Sequence, residues 1–73
     1  MTTQYYKQQN SAGKILMLAR IHEGDGVLWG EIYGQKGWKK DNYAMTFRYD
    51  AMLGDPITEE EAEAIVAQLP APG

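Results

Sequence analysis

The sequence predicts a small α+β domain: an antiparallel sheet of three to four strands in a meander, with one C-terminal α-helix packed on one face. Three observations carry this prediction. Apolar residues alternate with the period of a strand between Ile15 and Tyr33. An Asp25-Gly26 pair separates two hydrophobic runs, the strongest short-range signal for a hairpin. The stretch Thr58-Glu59-Glu60-Glu61 then opens an apolar stripe of helical spacing.

Residues 4–9 read as a polar strand. Tyr5 and Tyr6 favour extended backbone, while Lys7, Gln8 and Gln9 suit an edge open to water. Asn10-Ser11-Ala12-Gly13 is a loop. Residues 14–22 form the strongest strand. Ile15, Met17, Ala19 and Ile21 share one side; Leu16, Leu18, Arg20 and His22 share the other. The turn at 23–26 leads into a returning strand, 27–33. There Val27, Trp29, Glu31 and Tyr33 oppose Leu28, Gly30 and Ile32. Gly30 removes a side chain in mid-strand, so another element is expected to pack closely on its backbone.

A second turn follows at 34–37. Residues 43–49 alternate, with Tyr43, Met45, Phe47 and Tyr49 on one side and Ala44, Thr46 and Arg48 on the other. A helix capped by Asp41 or Asn42 and stopped by Gly54 is the rival reading of 43–53. On a helical wheel these apolar residues scatter, so a strand is expected at 43–49 and a helical turn or loop at 50–54. The last element is a helix over 58–69. Thr58 and Glu61 form a capping box, Ile57 and Ala62 stand at staple positions, and Ala62, Ile65, Val66 and Leu69 form the inward stripe. Pro70 ends it.

The 73 residues fit one domain, 1–73, with a tail at 70–73 expected to be mobile. A core of this size supplies roughly 3–5 kcal/mol. There is no Cys and a single His, His22, so disulfides and sites built on several Cys or His ligands are excluded within one chain. No metal and no cofactor is expected. The longest apolar run, Ile15 to Ala19, is five residues, too short for a signal peptide or a membrane span. A soluble, cytoplasmic protein without membrane attachment is the resulting expectation.

Charge is distributed unevenly. Residues 1–49 hold all seven bases and four acids, whereas residues 50–73 hold six acids and no base. Catalysis has little support. His22 stands beside Glu23 and near Asp25, but a chain this short has little room for a water-excluding pocket. The only serine, Ser11, lies in a loop outside any nucleophile motif, and the glycines match neither phosphate-binding fingerprint. No catalytic residue is assigned.

Eight aromatic side chains in 73 residues exceed what a small core can bury. Tyr33, Lys36, Trp38, Lys39, Lys40 and Arg48 are therefore expected to form an exposed aromatic–basic patch, the side-chain types that anchor protein interfaces. The expected function is a non-enzymatic accessory or regulatory protein that binds another protein, with homodimerisation as a further route. The alternative is a single-stranded nucleic-acid-binding module that stacks bases on the same patch. The net charge of −3 and pI near 4.9 weigh against it.

Overall fold

The computed structural model describes residues 1–34, 37–50 and 52–69. Strands β1 (Thr2–Gln9), β2 (Ile15–Gly24), β3 (Val27–Gly34), β4 (Gly37–Lys40) and β5 (Asp55–Ile57) make one antiparallel sheet in the order β4-β3-β2-β1-β5. The α+β class and the meander of the first four strands agree with the sequence. The strand count is five rather than three to four. The added strand, β5, pairs Asp55, Pro56 and Ile57 with Lys7, Tyr6 and Tyr5. This makes β1 an interior strand instead of the predicted open edge. Three residues carry almost no strand signal by themselves; pairing with β1 selects them, because it brings Ile57 into the core.

The first hairpin forms as expected. Gly24 pairs with Val27, and Asp25 (φ 46°) and Gly26 (φ 77°) both take the left-handed conformation that suits a two-residue turn between twisted strands. Gly34 pairs with Gly37 across the second hairpin. Residues 35 and 36, which include the candidate Lys36, lie outside the described residues, as does the tail 70–73.

One register shift changes the expected faces of β2. Gln8 pairs with Met17 but Gln9 pairs with Ile15, so Leu16 has no partner residue. Leu16 is consequently 54% exposed, and Ile15 packs with Leu18 rather than on the side of Met17 and Ala19.

The segment 43–49 is helical, not a strand. A 3-10 turn (Asn42–Met45) runs into a single helical turn, α1 (Thr46–Tyr49). The Asp41 carboxylate caps it by accepting from the Tyr43 N–H at 2.9 Å, and Thr46 Oγ1 donates to the Tyr43 carbonyl at 2.6 Å. Ala44 and Phe47, three residues apart, are the buried pair, while Tyr43 and Tyr49 remain exposed. The alternation of apolar residues was misleading because the partner surface is a notch in β3. A Cβ on Gly30 would stand 2.6 Å from the Cβ of Ala44. The missing side chain is what admits this turn.

The sheet is thus covered on both faces rather than one. On the first, α2 (Glu59–Gln68) packs over Leu18 and Ile57 through Ala62, with Ile65, Val66 and Leu69 alongside. On the second, Ala44 and Phe47 close over Ala19, with Tyr6, Met17, Ile32 and Leu53 around them. The predicted capping box is present: Glu61 N–H donates to Thr58 Oγ1 at 3.1 Å, and Thr58 N–H donates to Glu61 Oε1 at 3.4 Å. Thr58→Ala is expected to cost about 1 kcal/mol in chemical denaturation, because the first turn loses a partner for its unsatisfied N–H groups.

Candidate functional site

The α2 face of the sheet carries a row of polar and aromatic side chains set by two hairpin registers. Arg20 on β2 pairs with Glu31 on β3, which pairs with Lys40 on β4. One step along, Thr3, His22 and Trp29 form the neighbouring row across β1, β2 and β3. Residues two apart on a strand share a face, so both rows project to the same side.

Glu31 is the hub. Arg20 Nε donates to its Oε1 at 2.7 Å, and His22 Nε2 lies 2.8 Å from the same oxygen. His22 Nδ1 is 2.9 Å from Thr3 Oγ1. An ionised carboxylate only accepts, so in the neutral ring the proton sits on Nε2 and Nδ1 accepts from the Thr3 hydroxyl. The His22 and Glu31 side chains are 14% and 13% exposed, and that of Arg20 is 23% exposed. His22 is therefore neither an ordinary surface residue nor a partner of Glu23 or Asp25. Glu23 points to the opposite face, where Arg48 donates to both its oxygens at 2.6 and 3.3 Å.

Aromatic rings frame this network. The Arg20 guanidinium sits 4.2 Å from the centroid of Trp38, and the His22 ring is stacked 4.3 Å from that of Trp29. Lys40 Nζ lies 5.8 Å from the Trp29 ring. Tyr33 and Tyr5 meet Trp38 edge-on at 5.3 and 5.9 Å. A groove of about 230 Å³ runs between Tyr5, Arg20 and Trp38 on the sheet and Glu59, Ala62 and Glu63 on α2.

Burial pushes the Glu31 carboxyl up, but the hydrogen bonds and charges of Arg20 and His22 outweigh it and hold the group below its ordinary value of 4.5. A carboxyl that is more acidic when folded stabilises the fold fully above its ordinary range. That contribution is lost as pH falls through the lowered value. Glu31→Gln is expected to melt at a lower temperature than the natural chain at neutral pH. The two melting curves should converge in acid, where Glu31 is itself protonated. An unchanged gap across the titration would place the effect in packing instead.

The network's connectivity, hydroxyl to imidazole to carboxylate, is that of an oriented base. Both ring nitrogens of His22 are already occupied by protein partners, and the ring face is covered by Trp29. Its geometric effect is to tie β1, β2 and β3 together while fixing the orientation of the two tryptophans.

The expected patch is divided by the fold. Tyr33, Trp38 and Lys40 share the α2 face, with Tyr33 and Trp38 half-buried as a cross-strand pair. Lys39 is exposed on the opposite face, beside Ile32. Arg48 is also on that face, on α1, and is bound to Glu23. Sequence reasoning missed Arg20, Glu31 and Trp29 as members of the site. A usable signal existed: counting outward from the Asp25-Gly26 turn pairs His22 with Trp29 and Arg20 with Glu31.

Among the described residues no group of three or more His, Cys, Asp or Glu is placed to hold a metal ion, and no helix is long and apolar enough to cross a membrane. No family model, curated protein or solved structure matches the chain.

Proposed function

We propose that this chain is a non-enzymatic accessory or regulatory protein of the cytoplasm that binds another protein through the uncovered part of its α2-side sheet face. Trp29, Trp38 and Lys40 are the centre of that surface. The supporting observation is the holding of the two tryptophans. Each half-buried ring is fixed by a cation or an imidazole, which in turn is fixed by Glu31. Rings held in place lose little freedom on binding, and large aromatic side chains beside arginine or lysine are the usual anchors of interfaces. The charge on this face favours a protein over a nucleic acid. Glu59 and Glu63 line the groove beside Trp38, where they would repel a phosphate backbone.

The test is affinity capture from native lysate treated with nuclease, using the natural chain, Trp29→Ala, and Tyr49→Ala on the opposite face. Tyr49 is 74% exposed on α1. A protein retained by the natural chain and by Tyr49→Ala is expected to be lost from Trp29→Ala, with a binding cost of about 2 kcal/mol or more. Circular dichroism should show that Trp29→Ala remains folded. Equal retention by all three chains, or loss of every captured protein on nuclease treatment, overturns the proposal.

A further inference from the structure

The open edge of the sheet at β4 narrows the kind of partner this protein takes. β4 is the last strand in the sheet order and shows no register shift against β3. Its hydrogen-bonding sense follows from one bond. Asp41 N–H donates to the Gly30 carbonyl at 3.0 Å, so positions 30 and 41 face each other as a bonded pair. Bonded and non-bonded pairs alternate in an antiparallel ladder. The pair Ile32 and Lys39 is therefore also of the bonded kind, whereas Trp38 and Lys40 turn their backbone N–H and C=O away from β3. No described backbone group meets them.

An edge with four such groups in a row is a template for another strand. β4 contains no proline, and besides its shortness its lysines guard it. Lys39 and Lys40 are both exposed, on opposite faces of the sheet, and neither has an ion-pair partner among the described residues. These charges discriminate between occupants. A two-fold pairing with a second copy that bonds both Trp38 and Lys40 sets Lys39 opposite its own copy, and like charges directly opposite are unfavourable.

The geometry points to an extended acidic segment of another protein, added as a sixth strand along β4. This rests on the protein-binding reading above and specifies its mode. The expected segment has two adjacent acidic residues and then an apolar one. The acids would stand opposite Lys40 on the α2 face and Lys39 on the other, and the apolar side chain opposite Trp38.

The test uses the full chain and three synthetic peptides: one of alternating Thr and Val with an Asp-Glu pair, the same peptide with Lys-Lys in place of the acids, and the acidic peptide with proline at its centre. The acidic peptide is expected to slow amide hydrogen exchange at Trp38 and Lys40 while leaving Lys39, already bonded to β3, unchanged. The other two peptides should give no protection. Lys39→Glu/Lys40→Glu is expected to weaken the acidic peptide at least about tenfold and to gain binding of the Lys-Lys peptide. Lys40→Pro removes one outward N–H; it should melt close to Lys40→Gln but lose binding that Lys40→Gln partly keeps.

Several results overturn the assignment: equal binding of the proline peptide, protection elsewhere than Trp38 and Lys40, or no protection at the highest soluble peptide concentration. If these occur while Trp29→Ala still abolishes lysate capture, strand addition fails and the protein-binding reading stands. If capture by the natural chain also fails, both fall.

Discussion

Phe47→Ala is expected to destabilise the protein by about 3–5 kcal/mol. A core of this size supplies roughly 3–5 kcal/mol, so the variant should be partly unfolded before any denaturant is added. Phe47 is 2% exposed and closes the second core with Ala19 and Ala44. Its ring lies 5.9 Å from that of Tyr6 and 6.3 Å from that of Tyr43, and a Cβ on Gly54 would stand 2.8 Å from its Cε2. Backbone at Gly54 and strand β1 therefore hold this pocket open when the ring is removed, and a cavity that cannot collapse gives the upper part of the range. Urea denaturation followed by circular dichroism measures the change. A cost under about 1 kcal/mol would mean that α1 is a loosely attached turn and that the second face of the sheet is not a core.

Gly30→Val is expected to be about as damaging, at roughly 3 kcal/mol or more, for the opposite reason. The added Cβ meets the Cβ of Ala44 at 2.6 Å and the Arg20 carbonyl oxygen at 3.3 Å. The first neighbour sits on the capped 3-10 turn and the second on the backbone of β2, so neither can swing aside like a flexible side chain. Overpacking of this kind costs about 1–3 kcal/mol even for the smaller Gly30→Ala. A rescue separates this contact from a general intolerance of side chains in β3. Ala44→Gly in the Gly30→Ala background removes the nearest clashing atom. The double variant is expected to recover about 1 kcal/mol relative to the sum of the single effects. If the two substitutions simply add, the 3-10 turn does not rest on Gly30 and the explanation of the helical 43–49 segment is wrong.

These two expectations bear on the proposed interface as well as on stability. β3 carries Gly30 toward one face and Trp29 and Glu31 toward the other. Pressure on Gly30 from the α1 side would disturb the strand whose opposite side holds both tryptophans in place. A mild variant such as Gly30→Ala, if folded, is therefore a way to loosen the binding face without touching it.

Much of the site was legible one strand pair at a time. The Asp25-Gly26 turn sets the register of β2 against β3, and glycines at 34 and 37 bracket the turn that sets β3 against β4. Cross-strand neighbours such as Arg20 with Glu31 and Tyr33 with Trp38 follow by counting from those turns. Arg48 is separated from Tyr33, Trp38 and Lys40, with which distance along the chain had grouped it. Arg48 stands on a helical turn under the other face, and its charge is matched by Glu23.

The sequence by itself determined the α+β class, the first hairpin, the meander and the capped helix α2. Each rests on local physics: a positive φ that Asp-Gly accepts, a period-two pattern, and a cap that satisfies N–H groups within four residues. Only the tertiary structure decided the remainder. The three-residue strand β5 exists because β1 offers it a partner, and 43–49 is helical because Gly30 leaves a notch that Ala44 fills. Leu16 faces solvent because one residue of β2 goes unpaired. Such choices are made by contacts between residues far apart in the chain. Short elements with weak propensity gain more from those contacts than from their own conformational preference.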